Sequence, residues 1–570
     1  MLQVTHRDML ARIGVLVLLL FYGAGYANCS MVPQNSTDLL SLLDFRKEIT
    51  SDPRGFFTSW NRNADYCGWD GITCSRTHPG RVRELNLRNQ SLEGRISPSL
   101  GNLTFLRILD LSSNSFSGQI PLLNRLRRLE GLFLNNSQLQ GFAPDALINC
   151  SNLHSLILSS NMLAGPIPPS IGFLFNLKYL YLDANNFTGG IPSSLLNISK
   201  LEELVLSSNM LDGPIPPKIG SLFNLSHLYL DTNNFTGAIP SSLRNITQLE
   251  HLVLSNNQLA DTIPEELGHL SIMSKLALGG NMLSGSIPTT IFNLSFLQIL
   301  DVSGNFLRMA LPSNIGNTLP ILVGLGLHDN MFHGRIPASL GNASLLLALD
   351  FTSNNFSGHI PSSLGNLTYL QWLKLEQNNL EAKDSDGWEF LDALSNCTSL
   401  KYLLLSDNQL QGAIPHSVGK LSNSSLQYLR LAKNNLSGMV PESLGNLIGL
   451  NQLVLDQNSL TGPIGSWVGK LNFLVKLSLA DNNFSGPIPS SFGSFTQLTH
   501  LYLQSNKFEG TIPPSLGKLQ RLLELNVSYN NLQGPIPPDV SNLQQLIELD
   551  LSSNKIEGEI PSTMGECLQL

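Results

Sequence analysis

LEELVLSSNMLDGPIPPKIG occupies residues 201–220, and twenty-four residues further on the chain restates it as LSHLYLDTNNFTGAIPSSLR. Both stretches fit one template, LxxLxLxxNxLxGxIP, whose fixed positions are filled here by Leu201, Leu204, Leu206, Asn209, Leu211, Gly213, Ile215 and Pro216. Between Glu203 and Ser207 the apolar residues alternate, so a short strand is predicted with Leu204 and Leu206 inward and Glu203, Val205 and Ser207 outward. One such unit cannot enclose its own leucines. Stacked copies can, with neighbouring strands forming a parallel sheet along one side of a solenoid.

This is the leucine-rich repeat pattern. About twenty copies run from residue 82 to 561, and eighteen carry Asn where Asn209 stands, from Asn114 and Asn161 to Asn530 and Asn554, with Gln90 and Ser137 as the departures. An Asn amide both donates and accepts, so a column of them is expected to satisfy backbone groups of adjacent repeats. Gly213 suits a bend of positive φ. Asp261 and Met309 replace that Gly, and the bends there are expected to be less regular. The predicted fold class is an α/β repeat solenoid: a leucine-rich-repeat superhelix with a concave parallel β-sheet, a helical N-terminal cap, and short helices, 3-10 turns and loops on the convex side.

Composition agrees with an array: the chain has 570 residues, 13% of them charged, and 47 Gly. Its net charge of -8, thinly spread, argues against nucleic acid or anionic lipid as partner. His6, Arg7 and Arg12 precede the apolar run Ile13 to Tyr22, and Gly25 and Ala27 follow, which reads as a signal peptide cleaved near Ala27. The expected organisation is signal peptide 1–27, cap 28–81, repeats 82–561 with an insertion near 381–399, and the start of another repeat at 562–570. Of six cysteines, Cys67 and Cys74 in YCGWDGITC are the expected disulfide. Cys150 and Cys397 lie ten repeats apart, out of bonding reach, and are expected as buried core residues; Cys29 and Cys567 stand at the two ends.

The segment FSGHIPSSLGNL (356–367) resembles the plant-specific class of leucine-rich repeats. DLLSLLDFRKEITSDPRGFFTSWNRNADYCGWDGITC (38–74) looks like the N-terminal cap of plant receptor-like kinases, with Trp60, Cys67, Trp69 and Cys74 at the family's positions. A helix starting at Thr37 or Asp38 is expected to lay Leu39, Leu42, Leu43 and Phe45 over the first repeat. The period breaks between Asn378 and Asn408, where EAKDSDGWEFLDALSNCTSL adds six residues. That insertion is similar to one in the immune-type receptor kinases expanded in grasses, which include the receptors for flagellin and elongation-factor peptides. Its simplest reading is a surface helix packed through Trp388, Phe390 and Leu391.

The resemblance implies an ectodomain that recognises a peptide or protein ligand, with a co-receptor kinase ectodomain as partner. It also implies further repeats, a membrane span and a Ser/Thr kinase beyond Leu570, so GECLQL is read as a truncation. The chain is accordingly placed on the extracellular face of the plasma membrane if full length, or secreted if truly short. A secreted inhibitor of fungal polygalacturonases and a receptor-like protein without kinase are the alternatives. No GxxxxGK[ST], HExxH or GxSxG occurs, so no catalysis, cofactor or metal is expected.

Comparing outward strand positions gives an apolar row, Phe133, Ile157, Tyr181, Val205, Tyr229 and Val253, with Asp183, His227, Asp231 and His251 beside it. An exposed row of this kind is a candidate peptide site. Trp372, Lys374, Tyr402, Tyr428 and Arg430 form a second candidate cluster, suited to an acidic or aromatic segment. Twenty N-x-[ST] sequons predict N-glycosylation. One class (Asn102, Asn197, Asn245, Asn293, Asn366) is expected on the convex side, and the other (Asn186, Asn234, Asn355, Asn435, Asn483) at the rim of the strand face.

Overall fold

The computed structural model describes residues 36–61, 64–143, 149–422, 424–566 and 569–570. The signal segment, Cys29 and Cys567 lie outside the described residues. The chain forms two compact units, divided between Asn257 and Gln258.

In the first unit each repeat contributes one strand to a parallel ladder whose register is the sequence period itself. Tyr179 pairs with Glu203 and Glu203 with His227, and likewise Leu180 with Leu204 and Leu204 with Leu228. Leu201, Leu204, Leu206 and Leu211 are wholly buried, as the alternation requires. The second unit repeats the arrangement from Lys275–Ala277 to Glu548–Asp550.

The return path forms a second set of parallel strands. In the first unit Met210–Pro214 pairs Asp212 with Asn234 and Gly213 with Phe235. Where the LxGxIP segment is extended in successive repeats, its backbone groups meet equivalent partners one repeat away. Beyond it come 3-10 turns such as Ser193–Asn197.

The Asn ladder is realised. Asn209 Nδ2 donates to Leu182 O (3.1 Å), Leu206 O (3.1 Å) and Ser207 O (3.2 Å), while Oδ1 accepts from Phe187 N (3.0 Å). The residue before it turns left-handed (Ser208, φ 55°), and the same holds for Thr232, Asp407, Tyr529 and other non-Gly residues at that position. Gly213 takes φ 73° as expected. Asp261 corrects an expectation: it adopts φ 70° and keeps the regular bend, with Asp261 paired to Leu283. Asp tolerates the left-handed region better than most side chains. At Met309 the bend does change, because the strand shrinks to Phe306–Leu307 and only an isolated bridge, Ala310 to His333, follows.

The cap helix is Thr37–Lys47, starting at Thr37 as expected, with Ser36 as its N-cap, since Ser36 Oγ accepts from Leu39 N at 3.1 Å. Asp38 lies buried, receiving Arg81 Nε (3.1 Å) and Val82 N (2.8 Å). Leu39, Leu42, Leu43 and Phe45 are buried, and Phe45 reaches Phe116 at 6.1 Å between ring centroids. Cys67 and Cys74 form a disulfide, with Cα atoms 5.4 Å apart, and Trp60 stacks on Trp69 at 5.1 Å. The insertion carries the helix Glu389–Ala393, held by buried Trp388, Phe390 and Leu391 and by Trp388 Nε1 donating to Gln411 O at 3.1 Å.

Candidate functional site

On the first unit's strand face the six-residue apolar row is present, but it is not an exposed stripe. Ile157, Tyr181, Val205 and Val253 are buried, and only Phe133 and Tyr229 stay half-exposed. Ile157, Tyr181 and Val205 pack on one another, flanked by Phe133, Tyr179 and Tyr229. The physical reason is spacing: parallel strands stand about 4.8 Å apart, so large side chains in one column lie against their neighbours and cover them. Asp183 is likewise buried and accepts from Ser159 Oγ (2.5 Å), so it braces the face and is not presented to a ligand. Ser207 Oγ donates to Asp231 in the same manner, and Asp231 remains half-exposed. Val205 and Ser207 were expected outward; both are buried.

What this face does offer is a linked polar network. Tyr181 OH donates to the Glu203 carboxylate, and Tyr179 OH donates to Glu202 Oε2 at 3.0 Å, where Lys178 Nζ also binds Oε1 at 2.5 Å. Across the ladder Glu203 pairs with His227 and His227 with His251. His227 Nδ1 lies 3.8 Å from Glu203 Oε1, its ring meets that of His251 edge-on at 4.5 Å, and Tyr229 OH shares a hydrogen bond with His251 Nδ1 at 2.7 Å. Burial, with the Glu202 hydrogen bond adding to it, pushes the Tyr179 phenol up to about 12. Burial and the Glu203 charge raise Tyr181 and Tyr229 as well. All three phenols therefore keep their protons at any physiological pH. Glu203, Glu202 and Tyr179 were missed in the sequence; reading the column two residues before the apolar row, which holds Tyr179, Glu203, His227 and His251, would have found Tyr179 and Glu203, with Glu202 next to the latter.

In the second unit Trp372, Tyr402 and Tyr428 occupy adjacent strands and stack, with centroids 6.4 Å and 4.4 Å apart. Stacking turns their rings toward one another. Lys374 is paired to Asp350 Oδ2 (3.0 Å), and Arg430 Nε donates to Gln452 Oε1 (2.8 Å), so both cations are already engaged. The insertion helix packs on the 3-10 turns Ser362–Asn366 and His416–Lys420, elements of the repeat other than the aromatic strands.

The sequons fall in two structural places. Asn102, Asn197, Asn245, Asn293 and Asn366 each end a 3-10 turn, whereas Asn186, Asn234, Asn355, Asn435 and Asn483 each open a strand of the second set. None of these ten side chains is buried.

Cap, repeats and ladder define the class. The Leucine rich repeat N-terminal domain family matches residues 35–75, and Leucine Rich Repeat matches thirteen stretches from 105–124 to 545–567, more than half of the chain. The chain belongs to the leucine-rich-repeat family and, within it, to the ectodomains of plant receptor kinases. It is similar to the LRR receptor-like serine/threonine-protein kinase EFR of Arabidopsis thaliana, 45% identical over 98 residues, which are 17% of this chain and 9% of that protein. Its fold is similar to the Arabidopsis receptor kinase HAESA in complex with the peptide hormone IDA and the co-receptor SERK1. That match has TM-score 0.83 and 33% identity, covering 94% of this chain and 88% of the other. PEPR1 bound to AtPEP1 matches with TM-score 0.72 and 31% identity over 94% of this chain and 84% of the other. The chain aligns with receptor ectodomains over most of its length. Among the described residues no helix is long and apolar enough to cross a membrane.

Proposed function

We propose that this chain is the extracellular ligand-recognition region of a plant receptor kinase and that the first unit's strand face binds an extended peptide. The observation that carries the reading is the half-exposed network Glu203, His227, Tyr229 and His251, bordered by Phe133 and Tyr179, in a fold shared with peptide-bound ectodomains. Glu203 and the imidazoles orient the peptide's polar groups. The ring edges of Phe133, Tyr179 and Tyr229 supply apolar contact, and buried Ile157, Tyr181 and Val205 keep the face rigid. Asp231 adds an acceptor, while Asp183 acts from beneath. In the second unit, Trp372, Tyr402 and Tyr428 with Lys374 and Arg430 are a separate contact for an aromatic or acidic segment. A co-receptor ectodomain, as in the HAESA complex, is the expected second partner.

The test is a peptide library screened against the secreted chain, followed by affinity measurements on Glu203→Gln, Tyr229→Phe and His251→Ala. Losses of tenfold or more in at least two of these, with unchanged thermal unfolding, are expected. Tyr181→Ala is unsuitable, because removing a buried ring costs about 3–5 kcal/mol and disturbs the whole face. If peptides bind and all three variants keep full affinity, the assignment of this face is wrong.

A further inference from the structure

A second row of side chains, unrelated to the strand face, runs along the turns that precede the first five strands of the second unit's ladder. Ile272, Phe296, Ile321, Leu345 and Tyr369 each stand three residues ahead of the paired strand residues Lys275, Ile299, Gly324, Ala348 and Trp372. They therefore line up one repeat apart, over about 19 Å at ~4.8 Å per strand. Phe296, Leu345 and Tyr369 are 58%, 44% and 57% exposed, whereas Ile272 and Ile321 are half-buried. A contiguous apolar ridge of this kind in a secreted array calls for a cover.

The sequence supplies one beside each exposed member. Asn293-Leu-Ser-Phe296, Asn342-Ala-Ser-Leu345 and Asn366-Leu-Thr-Tyr369 are sequons whose next residue is the exposed apolar one. Ile272 follows His269-Leu-Ser and Ile321 follows Thr-Leu-Pro, so neither has a sequon in that place. The local structure aims both groups outward. Each Asn ends a 3-10 turn, the next residue (Leu294, Ala343, Leu367) is buried, and so is the leucine after the apolar residue (Leu297, Leu346, Leu370). Leu297 N donates to Leu294 O (2.8 Å), Leu346 N to Ala343 O (3.0 Å) and Leu370 N to Leu367 O (3.0 Å), so two buried pegs lock the turn that carries Asn and its apolar neighbour. Asn293, Asn342 and Asn366 are exposed.

We propose that N-linked glycans on Asn293, Asn342 and Asn366 fold back over this ridge, the C–H face of the first N-acetylglucosamine lying on Phe296, Leu345 and Tyr369. The glycans thereby serve as its permanent cover, and the ridge is closed to protein partners. Phe473 provides an internal contrast. It holds the same place in its repeat and is 60% exposed, but it has no sequon, with Lys470 where the Asn would be, and its row neighbours are Gly449 and Gln497. Singly exposed apolar residues are ordinary on protein surfaces. The proposal rests on passage through the secretory pathway and is independent of the ligand face.

The experiment is hydroxyl-radical footprinting of the whole secreted chain carrying oligomannose glycans, after glycopeptide mass spectrometry has measured occupancy. Three forms are compared: intact, trimmed after folding by an endoglycosidase that leaves one N-acetylglucosamine, and fully deglycosylated after folding. Oxidation of Phe296 and Tyr369 is expected to rise at least threefold on full deglycosylation, to stay near the intact rate in the trimmed form, and to be matched by no change at Phe473. Asn366→Gln alone should raise Tyr369 and leave Phe296 unchanged. Unoccupied Asn293 and Asn366, unchanged rates after removal of the sugars, or an equal rise at Phe473 would each overturn the proposal.

Discussion

Replacing Asn209 by Ala tests the ladder where its bookkeeping can be followed atom by atom. Of the groups Asn209 serves, Leu182 O keeps a second donor in Asn185 Nδ2 (3.2 Å), Leu206 O keeps Asn233 Nδ2 (2.9 Å), and Ser207 O keeps Ala184 N (2.9 Å). The Phe187 N–H is different: its side-chain acceptor is Asn209 Oδ1, and Phe187 is wholly buried. The net loss is therefore one buried donor left short plus the amide's own bonds, about 2–3 kcal/mol. Asn209→Asp sharpens the test. A carboxylate accepts from Phe187 but sets its other oxygen against three carbonyls, so at pH 7 it should cost more than Ala. Its folded-state pKa must rise above the ordinary Asp value, so stabilisation is present at low pH and is lost as pH rises through the raised value. Aspartate should then be tolerated better at pH 5 than at pH 7. Because arrays need not unfold in one step, hydrogen exchange of the peptide spanning 182–189 is the primary assay, with urea unfolding beside it. Wild-type protection of that peptide in Asn209→Ala, or Asn209→Asp no worse than Ala at pH 7, would refute the reasoning.

Three further outcomes are expected. A Cβ on Gly220 would sit 2.0 Å from Ser242 O, while one on Gly213 meets nothing within 4 Å but must hold φ 73°. Gly220→Ala should consequently cost more than the roughly 1–2 kcal/mol of Gly213→Ala in urea unfolding, since a backbone clash must move the next repeat. Burial pushes the Cys150 and Cys397 thiols up to about 11, so iodoacetamide at pH 8 should label neither until the chain is unfolded. Burial also raises the Asp110 carboxyl despite its Ser112 hydrogen bonds. That group favours folding at acid pH and loses the advantage as pH rises from ~4 through its raised value, so Asp110→Asn should flatten the pH dependence of stability between pH 4 and 7.

The solenoid was legible because its determinants are local and repeated. Leu204 and Leu206 point where a two-residue period puts them, and Asn209 can do its work in one place only. The disulfide and the cap helix followed from composition and spacing, and Trp388, Phe390 and Leu391 pack as an ordinary amphipathic turn would. Less was legible of anything decided between repeats. Pairing of Met210–Pro214 with the next copy depends on three-dimensional phase, which the pattern LxGxIP does not display. Ser208 and Thr232 turn left-handed although nothing in their side chains asks for it, because the ladder Asn that follows fixes the chain. The exposure of the strand face was misread for a related reason: alternation states which way Tyr181 and Val205 point, and only their neighbours' size states whether solvent reaches them.

That distinction changes what a surface of this kind can recognise. Six large apolar residues in one column would make an adhesive strip if each stood alone, and self-packing removes most of that adhesion before any ligand arrives. The buried trio Ile157, Tyr181 and Val205 instead contributes rigidity. On the proposed reading specificity moves to the neighbouring column, where Tyr179, Glu203, His227 and His251 are half-exposed and each already engaged, Tyr179 with Glu202, Glu203 with Tyr181, His227 with Ser226 and the His251 ring, and His251 with Tyr229. Groups already engaged with one another bind a ligand only by exchanging partners, so a peptide lacking the matching polar atoms leaves them worse off than water did. A face built this way discriminates mainly by penalising wrong ligands. If the proposed face is the ligand site, relatives with the same repeat scaffold can differ in ligand by substitutions in one column, without disturbing the leucines and asparagines that make the solenoid.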